Sequence, residues 1–132
     1  MIQNNILAID HGNKNIGLAI SVKGDLPLGF KTLQNSKSAM QEISNITKEN
    51  NINLIIIGYP NFKFGDSQIK KVDDFIVKLK ESLGKNIKIK RFDETLTSKQ
   101  ANRYIGKNKK IQHQEAARII LEDWLNSKNL FS

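Results

Sequence analysis

The stretch INLIIIG, residues 52–58, is an almost unbroken apolar run. A strand with one wet face alternates apolar and polar side chains, whereas a continuous run is covered on both faces. That environment belongs to a sheet with parallel pairing and helices packed on it, so helical segments are required on either side. They are present. Met40, Ile43 and Ile46 fall at helical spacing in SKSAMQEISNITKEN, with Ser36 or Ser38 available as N-cap. After the loop YPNFKFGDS, Ile69, Val72, Ile76, Leu79 and Leu83 form one helical stripe. NIKIKRFD (86–93) alternates and reads as a strand with one more polar face.

The N-terminal part has a different rhythm. NILAIDH (5–11) and NIGLAISV (15–22) are short apolar strands, and the GNK between them predicts a hairpin. LPLGFKTL (26–33) is a third, weaker strand after the turn-like KGD. At the other end, Thr97 and Gln100 fit a capping box that starts a helix to about Ile105. A last helix runs from about Gln112 to Asn126, with Ala116, Ala117, Ile120, Leu121, Trp124 and Leu125 facing inward. The order βββ-α-β-α-β-α-α predicts an α/β fold in which a meander leads into βαβ crossovers, giving a mixed five-stranded sheet with helices on its faces. There is no internal repeat or linker, and 132 residues suffice for one domain, 1–132, with its own core.

Charge narrows the partners. Lys and Arg number 21 against 13 Asp and Glu, a formal net charge of +8. That excess favours nucleic acid, although heavy use of Lys, Asn and Ile also produces it. The absence of Cys excludes disulfides, thiolate zinc sites and thiol nucleophiles. No apolar run is long enough to cross a bilayer, and MIQNN is unlike a leader. The expectation is a cytoplasmic protein with no membrane partner.

Asp10 ends the first strand; Asp93 and Glu94 follow at the end of the last. If those strands are parallel neighbours, the carboxylates meet at the sheet edge where α/β folds place ligands. Carboxylates gathered there repel unless a cation sits among them, and Mg²⁺ takes such oxygen ligands beside substrate phosphates. Gly12 would let the backbone turn tightly and approach a phosphate. The alternative is that Asp10 only forms a turn and Asp93-Glu94 only opens a helix. His113 can ligate a metal or carry a proton, or be a surface residue near a helix start. Phe62, Lys63 and Phe64 can stack on unpaired bases or tuck under their loop. Arg103 and the GKNKK run, with Lys107, Lys109 and Lys110, can seat phosphates or form a solvated charge run. Lys14 joins them as a backbone contact.

Taken in order, ILAIDHGNKNIGLAIS, IIIGYP, FDETLTSKQA and KIQHQEAARIILEDWL resemble the motifs of the YqgF/RuvX family, Holliday-junction-resolvase-like proteins. The resemblance spans nearly the whole chain. It implies an RNase H-like fold with strand order 3-2-1-4-5 and helices on both faces. It also implies a nuclease dependent on Mg²⁺ or Mn²⁺ that processes the 5′ end of pre-16S rRNA. Partners so implied are precursor rRNA and a ribosomal-subunit precursor, with the chain a monomer or weak homodimer. Asp10 matches the family's first catalytic acid, and Glu94, beside Asp93, its second. The third acid's position holds His113, which puts a softer, uncharged donor where the family has a carboxylate. The loop keeps Gly58, Pro60, Gly65 and Ser67 but lacks the family's Asn-x-x-Gly-Ser-Glu character.

Two other readings compete. A noncatalytic RNA- or DNA-junction-binding domain of the same fold would use the same basic charge but would not need metal. A phosphotransferase of the sugar-kinase and actin type also opens on D-x-G, but it closes two such domains around its nucleotide and this chain supplies one.

Overall fold

The computed structural model describes residues 4–24, 26–59, 66–93 and 109–130. Its elements run β1 (Ile6–His11), β2 (Asn15–Ser21), β3 (Leu28–Gln34), α1 (Ala39–Glu49), β4 (Leu54–Tyr59), α2 (Asp66–Leu83), β5 (Lys88–Asp93) and α3 (Lys109–Leu130). The five strands form one sheet in the order β3-β2-β1-β4-β5. β1 pairs antiparallel with β2, and β2 with β3. β4 runs parallel to both β1 and β5. The mixed sheet and the 3-2-1-4-5 order are therefore both found. β1 and β5 are parallel but not neighbours, because β4 lies between them.

Strand alternation sorts the core into two layers. Leu7 and Ile9 of β1, Ile16, Leu18 and Ile20 of β2, and Ile55 and Ile57 of β4 face α1 and α2. From those helices come Ile43, Ile46, Val72, Phe75, Ile76 and Leu79, all buried. Most of the stripes expected in α1 and α2 are thus confirmed, with Phe75 added. On the other face, Ile6, Ala8, Ala19, Leu54 and Ile56 meet Ala117, Ile120 and Leu121 of α3. Helices cover both faces, as expected.

The boundaries shift in ways that matter for the site. α3 starts at Lys109 rather than near Gln112, so Lys109 and Lys110 belong to its first turn. Lys and Gln are good helix formers, and nothing in KKIQ stops the helix from extending toward its N-terminus. Ser38 stands at the N-cap of α1, but its side chain makes no capping hydrogen bond; its Oγ lies 3.0 Å from that of Ser36. The helix expected from Thr97 to Ile105 and the loop bearing Phe62, Lys63 and Phe64 lie outside the described residues. Among the described residues, no helix is long and apolar enough to cross a membrane.

A candidate catalytic edge at the ends of the central strands

The sheet has a switch point between β1 and β4. From β1 the chain turns to one side into β2 and β3, and β4 later adds on the other. Open α/β sheets bind ligands in the crevice beyond the strands' carboxyl ends at such a point. β1 ends there in Asp10-His11, and alternation sends the two side chains to opposite faces.

Asp10 follows Ile6 and Ala8 onto the α3 face. There it meets His113 of α3, with Nδ1 3.5 Å from Oδ2. The side chains are 20% (Asp10) and 27% (His113) exposed, so both remain reachable from solvent. The separation exceeds a good N–H···O hydrogen bond. It is slightly wider than the roughly 3.0–3.4 Å between two ligands of a single ion with bonds of about 2.1 Å, a gap that a small side-chain rotation closes.

Glycines make this approach possible. Asp10 pairs across the hairpin with Gly17 of β2. A Cβ on Gly17 would lie 2.0 Å from the carbonyl oxygen of His113 and 2.4 Å from its carbonyl carbon. The backbone of α3 therefore rests on the sheet at a position without a side chain, which brings His113 down to Asp10. Gly12 closes the hairpin by donating its N–H to the Asn15 carbonyl at 2.9 Å. A Cβ there would be 2.7 Å from that same oxygen and 3.5 Å from His113 Cε1.

The remaining expected residues fall as follows. Asp93 closes β5 and pairs with Tyr59 of β4. Because Ile9 pairs with Ile57, the row of Asp10 continues to Gly58 and Phe92, and Asp93 stands one row further on. Glu94, Lys63, Arg103 and Lys107 lie outside the described residues, as do the side chains of Asp93, Lys109 and Lys110. Lys14 is exposed on the hairpin. Among the described residues, no group of three metal-ligating side chains forms. Glu115 and Glu122 of α3 are otherwise engaged. Arg118 donates to Glu115 at 3.0 Å and to Glu122 at 2.6 Å. The Glu115 hydrogen bond, and then the Glu122 one, hold its guanidinium well above the usual range despite partial burial.

His11, unremarked in the sequence, points to the α1/α2 face. Its ring lies 4.6 Å from that of Phe75, and its Nε2 is 3.2 Å from the Asn35 amide nitrogen. Burial pushes its pKa below the ordinary value; Asp10 opposes the shift and Lys71 adds to it. The signal for its placement was the period-two alternation through Asp10-His11.

Residues 4–127 match a family model described as "RuvX: Holliday junction resolvase". A relative from Malacoplasma penetrans, named "Putative pre-16S rRNA nuclease", is 34% identical over 140 residues, covering 96% of this chain and 97% of its own. A relative of the same name from Clostridium botulinum (strain Hall) is 36% identical over 138 residues, covering 92% and 96%. Among solved structures, Thermus thermophilus RuvC superposes with a TM-score of 0.61 at 8% identity, over 94% of this chain and 95% of that one. T. thermophilus RuvC in complex with a Holliday junction substrate gives 0.60, also at 8% identity, over 96% of each chain. These two establish likeness of fold, the RNase H-like α/β architecture.

Proposed function

The chain belongs to the RuvX family of Holliday junction resolvases, and on that premise we propose that it is a metal-dependent endonuclease trimming the 5′ end of pre-16S rRNA. The observation that carries the chemistry is Asp10 at the carboxyl end of the central strand with His113 held 3.5 Å away. The relatives' shared name favours RNA over a DNA junction as substrate, and the match along the chain favours 1–132 acting as one nuclease domain.

The donor set suits a divalent cation. Asp10 offers a carboxylate and His113 an imidazole, at a spacing one ion can satisfy, and Glu94 directly follows β5. Asp93 stands in the row of Tyr59, whose hydroxyl reaches Asp73 of α2 on the other face. Glu94, with Asp93 beside it, is proposed as the next ligand. When bound, Mg²⁺ or Mn²⁺ supplies an activated water and neutralises charge on the leaving oxygen. Asp10 and His113 would hold it, and a neutral imidazole shifts preference toward Mn²⁺ relative to a third carboxylate. Lys14, Lys109 and Lys110 stand at the same end of the sheet and would seat the sugar-phosphate strand, aided by Lys63, Arg103 and Lys107. The site is read as acting in the cytoplasm on precursor rRNA or a ribosomal-subunit precursor, the chain being a monomer or weak homodimer.

The test is incubation of purified protein with precursor 16S rRNA and Mg²⁺ or Mn²⁺, with Asp10→Asn alongside. Site-specific cleavage by the wild type and a loss of at least about a hundredfold in the variant are expected, the scale of losing a group that stabilises transition-state charge. His113→Asp is expected to raise activity in Mg²⁺ relative to Mn²⁺. Binding without cleavage under either metal would instead identify a noncatalytic RNA-binding domain.

A further inference from the structure

A cavity of about 650 Å³ lies on the face of the sheet opposite the Asp10–His113 pair. Its wall is the His11 ring backed by Phe75. Among the described lining residues, Lys37 at the entry to α1, and Lys71 and Lys78 two turns apart on one face of α2, surround it, against the carboxylate of Asp74. The excess is two positive charges. The amide nitrogen of Asn35 donates to the Gly12 carbonyl at 2.8 Å and stands 3.2 Å from His11 Nε2, fixing both hairpin and ring. Lys71 reaches across to Asn13 Oδ1 at 3.1 Å, tying α2 to that hairpin.

Resting on the nuclease reading, we propose that this cavity is a nucleotide subsite of the substrate strand. One base stacks on His11 and its flanking phosphates lie between Lys37, Lys71 and Lys78. Size, chemistry and position agree. The volume is within the range of pockets that enclose small molecules. An aromatic wall under a rim of ammonium groups is what a base with attached phosphates requires. Asp10 and His11 are consecutive residues aimed to opposite faces. A strand crossing the carboxyl edge of β1 can therefore present one phosphodiester to Asp10 and lodge a nearby nucleotide in the cavity. Such an anchor fixes where along the strand cleavage falls, a task that the two side chains of the edge cannot perform alone.

Binding of a labelled single-stranded RNA decamer in EDTA tests the subsite apart from the chemistry, because no metal is present to support cleavage. The pair Lys71→Glu and Lys78→Glu is expected to weaken binding at least tenfold. It should also flatten the slope of log affinity against log salt by about 1.4, two lost phosphate contacts on a single strand. The same charge change at Lys48 and Lys85, exposed residues at the far end of α1 and just beyond α2, should weaken binding less than threefold. His11→Ala should cost about tenfold and His11→Phe should restore most of it, the size of one base stack. Adenosine monophosphate alone should bind only at millimolar concentration. Equal weakening by the two lysine pairs would overturn the proposal by reducing the binding to diffuse charge. Tight capture of the free mononucleotide would overturn it by giving the cavity a ligand other than the strand. An inactive enzyme whose binding still depends on Lys71 and Lys78 would sink the nuclease reading and leave the subsite standing.

Discussion

The two faces of the sheet are built from different materials. Toward α1 and α2 the strands present Leu7, Ile9, Ile16, Leu18, Ile55 and Ile57, and the helices answer with Ile43, Phe75, Ile76 and Leu79. Toward α3, Ile6, Leu54 and Ile56 meet Ile120 and Leu121, but β1 and β2 present Ala8, Gly17 and Ala19, with Gly29 on β3, and α3 adds Ala117. The first face is held off by large side chains and leaves a cavity at its carboxyl end. The second lets a helix backbone touch the strands. Large residues fill volume and hold stability; small ones set distance. Distance is what a site needs, because a carboxylate on a strand and an imidazole on a helix reach one ion only if the helix lies close.

The contrast can be broken from either side. Ile76→Ala, on the fully packed face, should cost about 2–5 kcal/mol of stability, the range for an emptied core position. Urea unfolding would measure it. At a temperature where the variant stays folded, RNA cleavage should fall only a few-fold, since α3 is untouched. Gly17→Ala adds one methyl where the obstacle is the His113 carbonyl. Overpacking of this kind costs about 1–3 kcal/mol, less than the Ile76 change, yet cleavage should be nearly abolished because α3 must lift away from Asp10. If Ile76→Ala silenced the enzyme while Gly17→Ala spared it, the division of labour between the faces would be wrong.

Much of the thick face was legible in the sequence. Unbroken apolar runs in β1 and β4 and the α2 stripe from Val72 to Leu79 follow from periodicity, which is local. The hairpin was legible through GNK. The thin face was not. Ala and Gly carry little periodic signal, and the closeness of α3 to Gly17 is a contact between residues 96 positions apart, 113 against 17. Strand order is a property of crossovers and not of any one strand; the order 3-2-1-4-5, with β4 between β1 and β5, was implied by the family resemblance and not by periodicity. Asp10 was legible as a strand-end acid. His113 was singled out because the resemblance puts it at the family's third acid position, but its 3.5 Å approach to Asp10 required the fold. His11 escaped notice because its cavity is assembled from the hairpin, the start of α1 and the middle of α2, which share no local pattern.

A graded test runs along the underside of α3. Gly29 of β3 faces Gln114, and a Cβ there would stand 3.3 Å from that residue's Cβ, tight but against a side chain rather than backbone. Gly29→Ala should therefore change stability by less than about 1 kcal/mol, below the usual cost of overpacking, and reduce cleavage a few-fold at most. Thermal unfolding and the RNA assay on the same preparation would check it. A Gly29 effect as large as that of Gly17 would mean that α3 is sensitive to any bulk beneath it and that the His113 contact has no special status.

The smallest effect concerns the outer part of α3, where no close approach is needed. Burial, and then neighbouring Glu122, push the Asp123 carboxyl above its ordinary value, with Arg118 opposing. A folded-state pKa above the unfolded one means that the folded protein holds the proton more tightly. This group's contribution to stability is then most favourable below the unfolded value and is lost as pH rises through the folded one. Asp123→Asn removes the ionisation and should raise the melting temperature slightly at pH 7, with the difference from wild type closing as pH falls below the ordinary carboxylate range. Paired melting curves from pH 3 to pH 7 would measure it, and because both proteins share every other titrating group, the difference isolates this one. Cleavage of precursor rRNA should not change, since Asp123 lies two to three helical turns from His113 along α3. A gain in stability that grew toward acid would reverse the sign and show that Asp123 gains more from Arg118 than it loses to burial.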